Sequence, residues 1–144
     1  MERIIQEKTS ADHLLYVSLK YTKTTEVMLN LIERWKSLIE VAIEKLLEEA
    51  KKKKTIATIP EAPRLKLNKI REIYKKNPAV IKTMDLLEFF KRIKNAEKIR
   101  ENEFRKNVTL KVLDKGEWVN IDMEKLKEYN ETIDKFIKIV RGII

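Results

Sequence analysis

Arg105, Lys106, Asn107 and Lys111 fall within seven residues of one another in the segment ENEFRKNVTLKV, residues 101–112. Side chains of these types at this density suit a phosphodiester. Arginine offers a planar fork of donors, lysine a mobile point charge, and asparagine an amide that can pair with a sugar or a base. Arg100 stands just before them. Lys91, Lys94 and Lys98 follow i, i+3, i+7 spacing, which on a helix puts all three on one face and adds long-range attraction for an anion.

The charge of the whole chain points to the same region. Of 144 residues, 32 are Lys or Arg and 23 Asp or Glu, a formal net charge of +9. Residues 51–111 hold 19 basic and 7 acidic side chains, whereas the flanking segments 1–50 and 112–144 are each slightly acidic. A basic excess gathered in one third of a chain is the footprint of a phosphate-binding surface. The other meaning of such a run is a solvated lysine-rich face that keeps the molecule dissolved. Lys51–Lys54, four lysines in a row, read as a helix terminus, where cations face the negative end of the dipole.

Most catalytic chemistries lack their residues. There is no cysteine, hence no thiolate nucleophile, no disulfide and no Cys-based zinc site. His13 is the single histidine; alone it makes no metal site and is expected to cap or pack. Ser18 and Ser37 have no Gly-flanked turn or neighbouring base, and no glycine-rich phosphate loop occurs. EKLLEE, residues 44–49, lacks the histidine that a di-metal bundle needs. No cofactor, no metal and no catalytic residue are expected. The N-terminus has no signal-like apolar run, and no segment reaches the roughly 20 apolar residues of a membrane span. A cytoplasmic protein without membrane contact is therefore expected, and its Ile, Lys and Glu content resembles that of thermophiles.

Apolar periodicity predicts the elements that must carry the basic segment. A first helix is expected to start near Thr9, with Thr9 as N-cap and Asp12 completing a capping box. After a break at KYTKTTE, Thr24 or Thr25 caps a long helix over about residues 25–53. Its apolar face runs from Met28 through Trp35 to Ala50, and Trp35 is read as core or dimer interface. Pro60 and Pro63 make 55–65 a connector, followed by a helix at about 64–76. NPAV, residues 77–80, reads as a break before a fourth helix at about 83–101, capped by Thr83. Residues 108–121 alternate apolar and polar around DKG (114–116), predicting a β-hairpin with Gly116 at positive φ. Val108, Leu110 and Trp118 are expected to hold it against the helices. Tyr16 and Tyr21 are expected at the core or its rim. Asp122 caps a last helix at about 123–141. The whole chain, 1–144, reads as one all-α domain: a four- to five-helix bundle with a small β-hairpin before the last helix.

The long helices of residues 14–50, the basic stretch EFRKNVTLKV and the terminal helix DMEKLKEYNETIDKFIKIV together resemble the HEPN superfamily. The likeness spans roughly residues 10–141 and is nearest to poorly characterised archaeal members. Active members carry an arginine, often followed by a polar residue, with a histidine four to six positions on. They are metal-independent ribonucleases with a dimer-interface site. Arg105 matches the arginine and Asn107 lies close to the polar position, but Thr109, Leu110 and Lys111 stand where the histidine would be. The resemblance thus implies an HEPN-like fold, a homodimer and an RNA or nucleotide partner without delivering catalysis. The expected function is a non-catalytic binding module. The alternatives are a variant metal-independent ribonuclease using Arg105, or a protein-binding subunit of a toxin–antitoxin-like pair.

Overall fold

A computed structural model describes residues 1–144. It contains five helices and a three-stranded antiparallel sheet. Helix α1 has three consecutive segments: α-helical Glu2–His13, a π-helical turn Leu14–Ser18 and a last turn Leu19–Tyr21. Then come α2 (Thr25–Lys52), α3 (Pro63–Ile73), α4 (Pro78–Ile93), β1 (Lys98–Glu101), β2 (Thr109–Asp114), β3 (Glu117–Ile121) and α5 (Met123–Ile143). No helix is long and apolar enough to cross a membrane.

The long helix forms the centre. Thr24 caps α2 by accepting from the Val27 N–H (3.3 Å), and the helix buries a continuous stripe from Met28 to Ala50. Helices α1, α3, α4 and α5 pack around it. Its apolar face is thereby filled from within the chain, and Trp35 belongs to the core rather than to an outer surface. Trp35 stacks on Phe90 from α4 (6.0 Å, 12°) and meets Tyr129 from α5 edge-on (6.4 Å, 90°). Burial pushes the Tyr129 phenol up to about 12, so this cluster stays uncharged at neutral pH.

Two helix starts differ from the expected ones, and both have local causes. Helix α1 begins at Glu2 because Ile4 extends the buried stripe of Ala11, Leu15 and Leu19 by another two turns. Thr9 is mid-helix, donating its hydroxyl to the Ile5 carbonyl (2.9 Å) instead of capping, and His13 is exposed. Helix α4 begins at Pro78, whose missing N–H costs nothing in the first turn. Asn77 is its cap, accepting from the Val80 N–H (3.3 Å), while Thr83 is buried and donates to the Ala79 carbonyl (2.8 Å).

The π-helical turn, Leu14–Ser18, carries a contact to the last helix. It positions Tyr16 so that its hydroxyl accepts from Asn130 Nδ2 (3.1 Å), and Asn130 Oδ1 accepts from Lys8 Nζ (2.9 Å). Lys8 also pairs with Asp12 and Asp134, the latter at 3.0 Å, tying α1 to α5. Lys8→Met strands the buried Asn130 oxygen while both aspartates regain water. Urea denaturation should show a loss of about 1–3 kcal/mol, partly restored in Lys8→Met/Asn130→Leu, where the orphaned acceptor is gone.

The hairpin expected before the last helix is two strands of a trio. Strand β1 adds to it along β2, with Arg100 opposite Leu110 and Ile99 opposite Lys111. Asp114 and Glu117 pair across a two-residue turn in which Lys115 (φ 52°) and Gly116 (φ 81°) are both left-handed, as a hairpin of this length requires. Leu110, Val112 and Ile121 are buried beneath the sheet, along with Val108. Trp118 is not: its register opposite Leu113 puts it on the outer face, 45% exposed. Residues 98–101 are strand rather than helix because the apolar stripe of α4 ends at Ile93. The lysine spacing that extended it carries no burial signal.

Candidate phosphate-binding surface

The loop from Asn102 to Val108, between β1 and β2, carries Arg105, Lys106 and Asn107, and its conformation is fixed from several sides. The Glu103 carboxylate accepts from the Thr25 N–H (3.1 Å) and from the Thr25 hydroxyl. It sits at the positive end of α2, where a carboxylate is stabilised by free N–H groups and the helix dipole. The Phe104 N–H donates to the Lys23 carbonyl (2.6 Å). Within the loop, the Arg105 N–H donates to the Asn102 carbonyl (3.1 Å) and the Val108 N–H to the Arg105 carbonyl (3.0 Å). The Asn107 carbonyl accepts from the Thr109 hydroxyl (2.9 Å) and from Asn102 Nδ2 (3.4 Å). Asn102 (φ 58°) and Phe104 (φ 66°) are left-handed. Phe104, Arg105, Lys106 and Asn107 all face solvent.

The expected basic residues fall into two groups. Arg105, Lys106 and Asn107 share the loop. Arg100 on β1 and Lys111 on β2 lie beside it, but each has an acidic partner: Arg100 with Glu26 (3.7 Å) and Lys111 with Glu101 (3.0 Å). Lys91 and Lys94 are at the C-terminal end of α4, and Lys98 opens β1. Because Lys98 pairs with Val112 and Glu101 with Thr109, this second group lies toward the opposite end of the sheet, β1 being roughly 10 Å long at about 3.3 Å per residue. Lys98 Nζ donates to the Lys94 (3.3 Å) and Ala96 (3.1 Å) carbonyls, closing the chain after α4. The single helical face expected for Lys91, Lys94 and Lys98 is thus broken at the helix end.

Arg92, in the same helix turn, is locked. Its Nε and Nη2 bond both oxygens of Asp114 (2.7 and 3.2 Å). These bonds hold the Asp114 carboxyl below its ordinary value against the opposing effect of burial, and the charges of Arg92 and Lys115 add to the lowering. A carboxyl depressed on folding stabilises the protein above its unfolded value and loses that contribution as pH falls through the folded one. Asp114→Asn should therefore cost about 1 kcal/mol at neutral pH, a modest figure because Arg92 is partly in water. Denaturation across pH should show the gap to the native chain constant above about pH 4 and closing below it.

Two residues outside the expected set, Phe104 and Lys23, belong to this corner. Phe104 is visible in the sequence as the aromatic between Glu103 and the basic pair Arg105–Lys106. Lys23 is brought in only by the fold, through the Phe104–Lys23 backbone bond, and Tyr21, expected at the core or its rim, is instead exposed two residues before it. Three concavities, of about 710, 630 and 560 Å³, lie elsewhere and include none of the expected basic residues. The basic side chains of the loop stand on the exposed surface. The chain matches no protein-family model, no curated protein and no solved structure.

Proposed function

We propose that this chain is a non-catalytic, HEPN-like binding module that takes the phosphates of RNA or of a nucleotide on the Asn102–Val108 loop. One observation carries the reading. Arg105 and Lys106 project from a fixed loop without an ion pair, while the neighbouring Arg100 and Lys111 are matched by Glu26 and Glu101. Preorganised unpaired cations attract a polyanion at little conformational cost, and a phosphate can compete for the two surface pairs beside them. Asn107, exposed next to them, supplies the amide for a sugar or base edge. Lys91, Lys94 and Lys98 add distant attraction only.

The absent motif histidine weighs against cleavage, because Arg105 can stabilise phosphate charge but leaves no group poised to move a proton near neutral pH. A homodimer in this reading uses surface outside the apolar face of α2, which the chain's own helices fill. The test is binding of a short labelled RNA at low salt by the native chain and by Arg105→Ala/Lys106→Ala. Tight binding weakened in the variant supports the proposal. Equal binding by the two proteins removes the loop from the account.

A further inference from the structure

Phe104 is the anomaly of the loop. A bulky residue at φ 66° is rare and costs on the order of 1 kcal/mol or more. Such strain persists only where the surroundings over-determine it, and here no packing of the side chain offsets it, Phe104 being 74% exposed. Its backbone is held there by the bond to the Lys23 carbonyl and by the neighbouring Glu103 cap on α2. The anchors maintain a conformation whose effect is to hold an aromatic ring out in water beside two unpaired cations. A second aromatic, Tyr21, is 78% exposed at the end of α1, two residues before Lys23, with Lys20 Nζ 5.9 Å from its ring centre.

Charge decides what suits this corner. Its acids are engaged: Glu26 with Arg100, Glu101 with Lys111, and Glu103 with Thr25. What remains available is cationic and aromatic. That pairing is the recognition chemistry of unpaired nucleotides, in which rings take the base faces and cations the phosphates. We propose that Phe104 is a stacking platform for an unpaired base of single-stranded RNA whose flanking phosphates lie on Arg105 and Lys106. This rests on the phosphate-binding reading above and adds to it the strandedness of the ligand and a base contact.

The test compares a labelled oligouridylate with an abasic oligomer of the same length and phosphate number, on the native chain, Phe104→Gly and Phe104→Trp. Phe104→Gly should weaken oligouridylate binding roughly tenfold, the scale of one lost base–aromatic stack. It should leave the abasic oligomer unchanged and, by relieving the left-handed strain, leave Tm equal or higher. Phe104→Trp should retain oligouridylate binding. Equal oligouridylate affinity in all three proteins overturns the stacking role while leaving the phosphate contacts standing. A lower Tm in Phe104→Gly with parallel loss on both oligomers makes Phe104 structural and overturns it too. No RNA binding even at low salt, with binding to phosphatidylglycerol vesicles, overturns both readings and assigns the ring to a membrane surface.

Discussion

Trp35→Ala lowers the unfolding free energy by about 3–5 kcal/mol, the range for truncating a large core aromatic. Trp35 is fully buried, with its ring stacked on Phe90 and edge-on to Tyr129, so the hole opens where α2, α4 and α5 meet. Against a typical net stability of about 5–15 kcal/mol this is a large fraction, and thermal unfolding should shift downward by roughly 10 °C. Trp35→Phe behaves differently. It keeps an aromatic face for Phe90 and removes the indole N–H, which is buried without an acceptor. Removing an unsatisfied donor offsets part of the lost volume, and the net cost should be about 1 kcal/mol. Comparable losses for the two variants would mean that the orphaned N–H has no energetic weight.

Arg105→Ala/Lys106→Ala should reduce RNA affinity at least tenfold at low salt while leaving unfolding unchanged. Both side chains are exposed and unpaired, so their removal breaks nothing within the fold. In the complex each forms a charge-assisted contact of roughly 1 kcal/mol. Lys94→Ala/Lys98→Ala removes the same charge from the other end of the sheet and should change affinity by only about twofold, since distant charges are screened over about 10 Å. A larger effect from this second pair would move the binding surface to the end of α4.

Much of the fold is legible in the sequence because burial writes a period into it. The stripe from Met28 to Ala50, the Thr24 and Asp122 caps and the turn at Gly116 all appear where apolar spacing and local hydrogen bonding place them. What escapes is structure that such patterns do not encode. Charged residues at helical spacing hid the edge strand Lys98–Glu101, since lysines on a solvated face carry no record of what they cover. Pro78 reads equally as a break and as a first helical residue, and only the Asn77 cap distinguishes them. For the surface, the loop residues Arg105, Lys106 and Asn107 were legible, but the neutralisation of Arg100 and Lys111 was not. That depends on Glu26, far away in sequence, and on the strand pairing of Glu101. The exposure of Phe104 depends likewise on Thr25 and Lys23 holding its backbone.

The most direct measurement is RNA affinity across a salt series for the native chain and Arg105→Ala/Lys106→Ala. Each phosphate contact on a single strand contributes about −0.7 to the slope of log K against log salt. Two lost contacts should make the variant's slope shallower by about 1.4, with the two lines converging at high salt. Parallel lines, or no binding by the native chain at low salt, would contradict a phosphate-binding role for the loop.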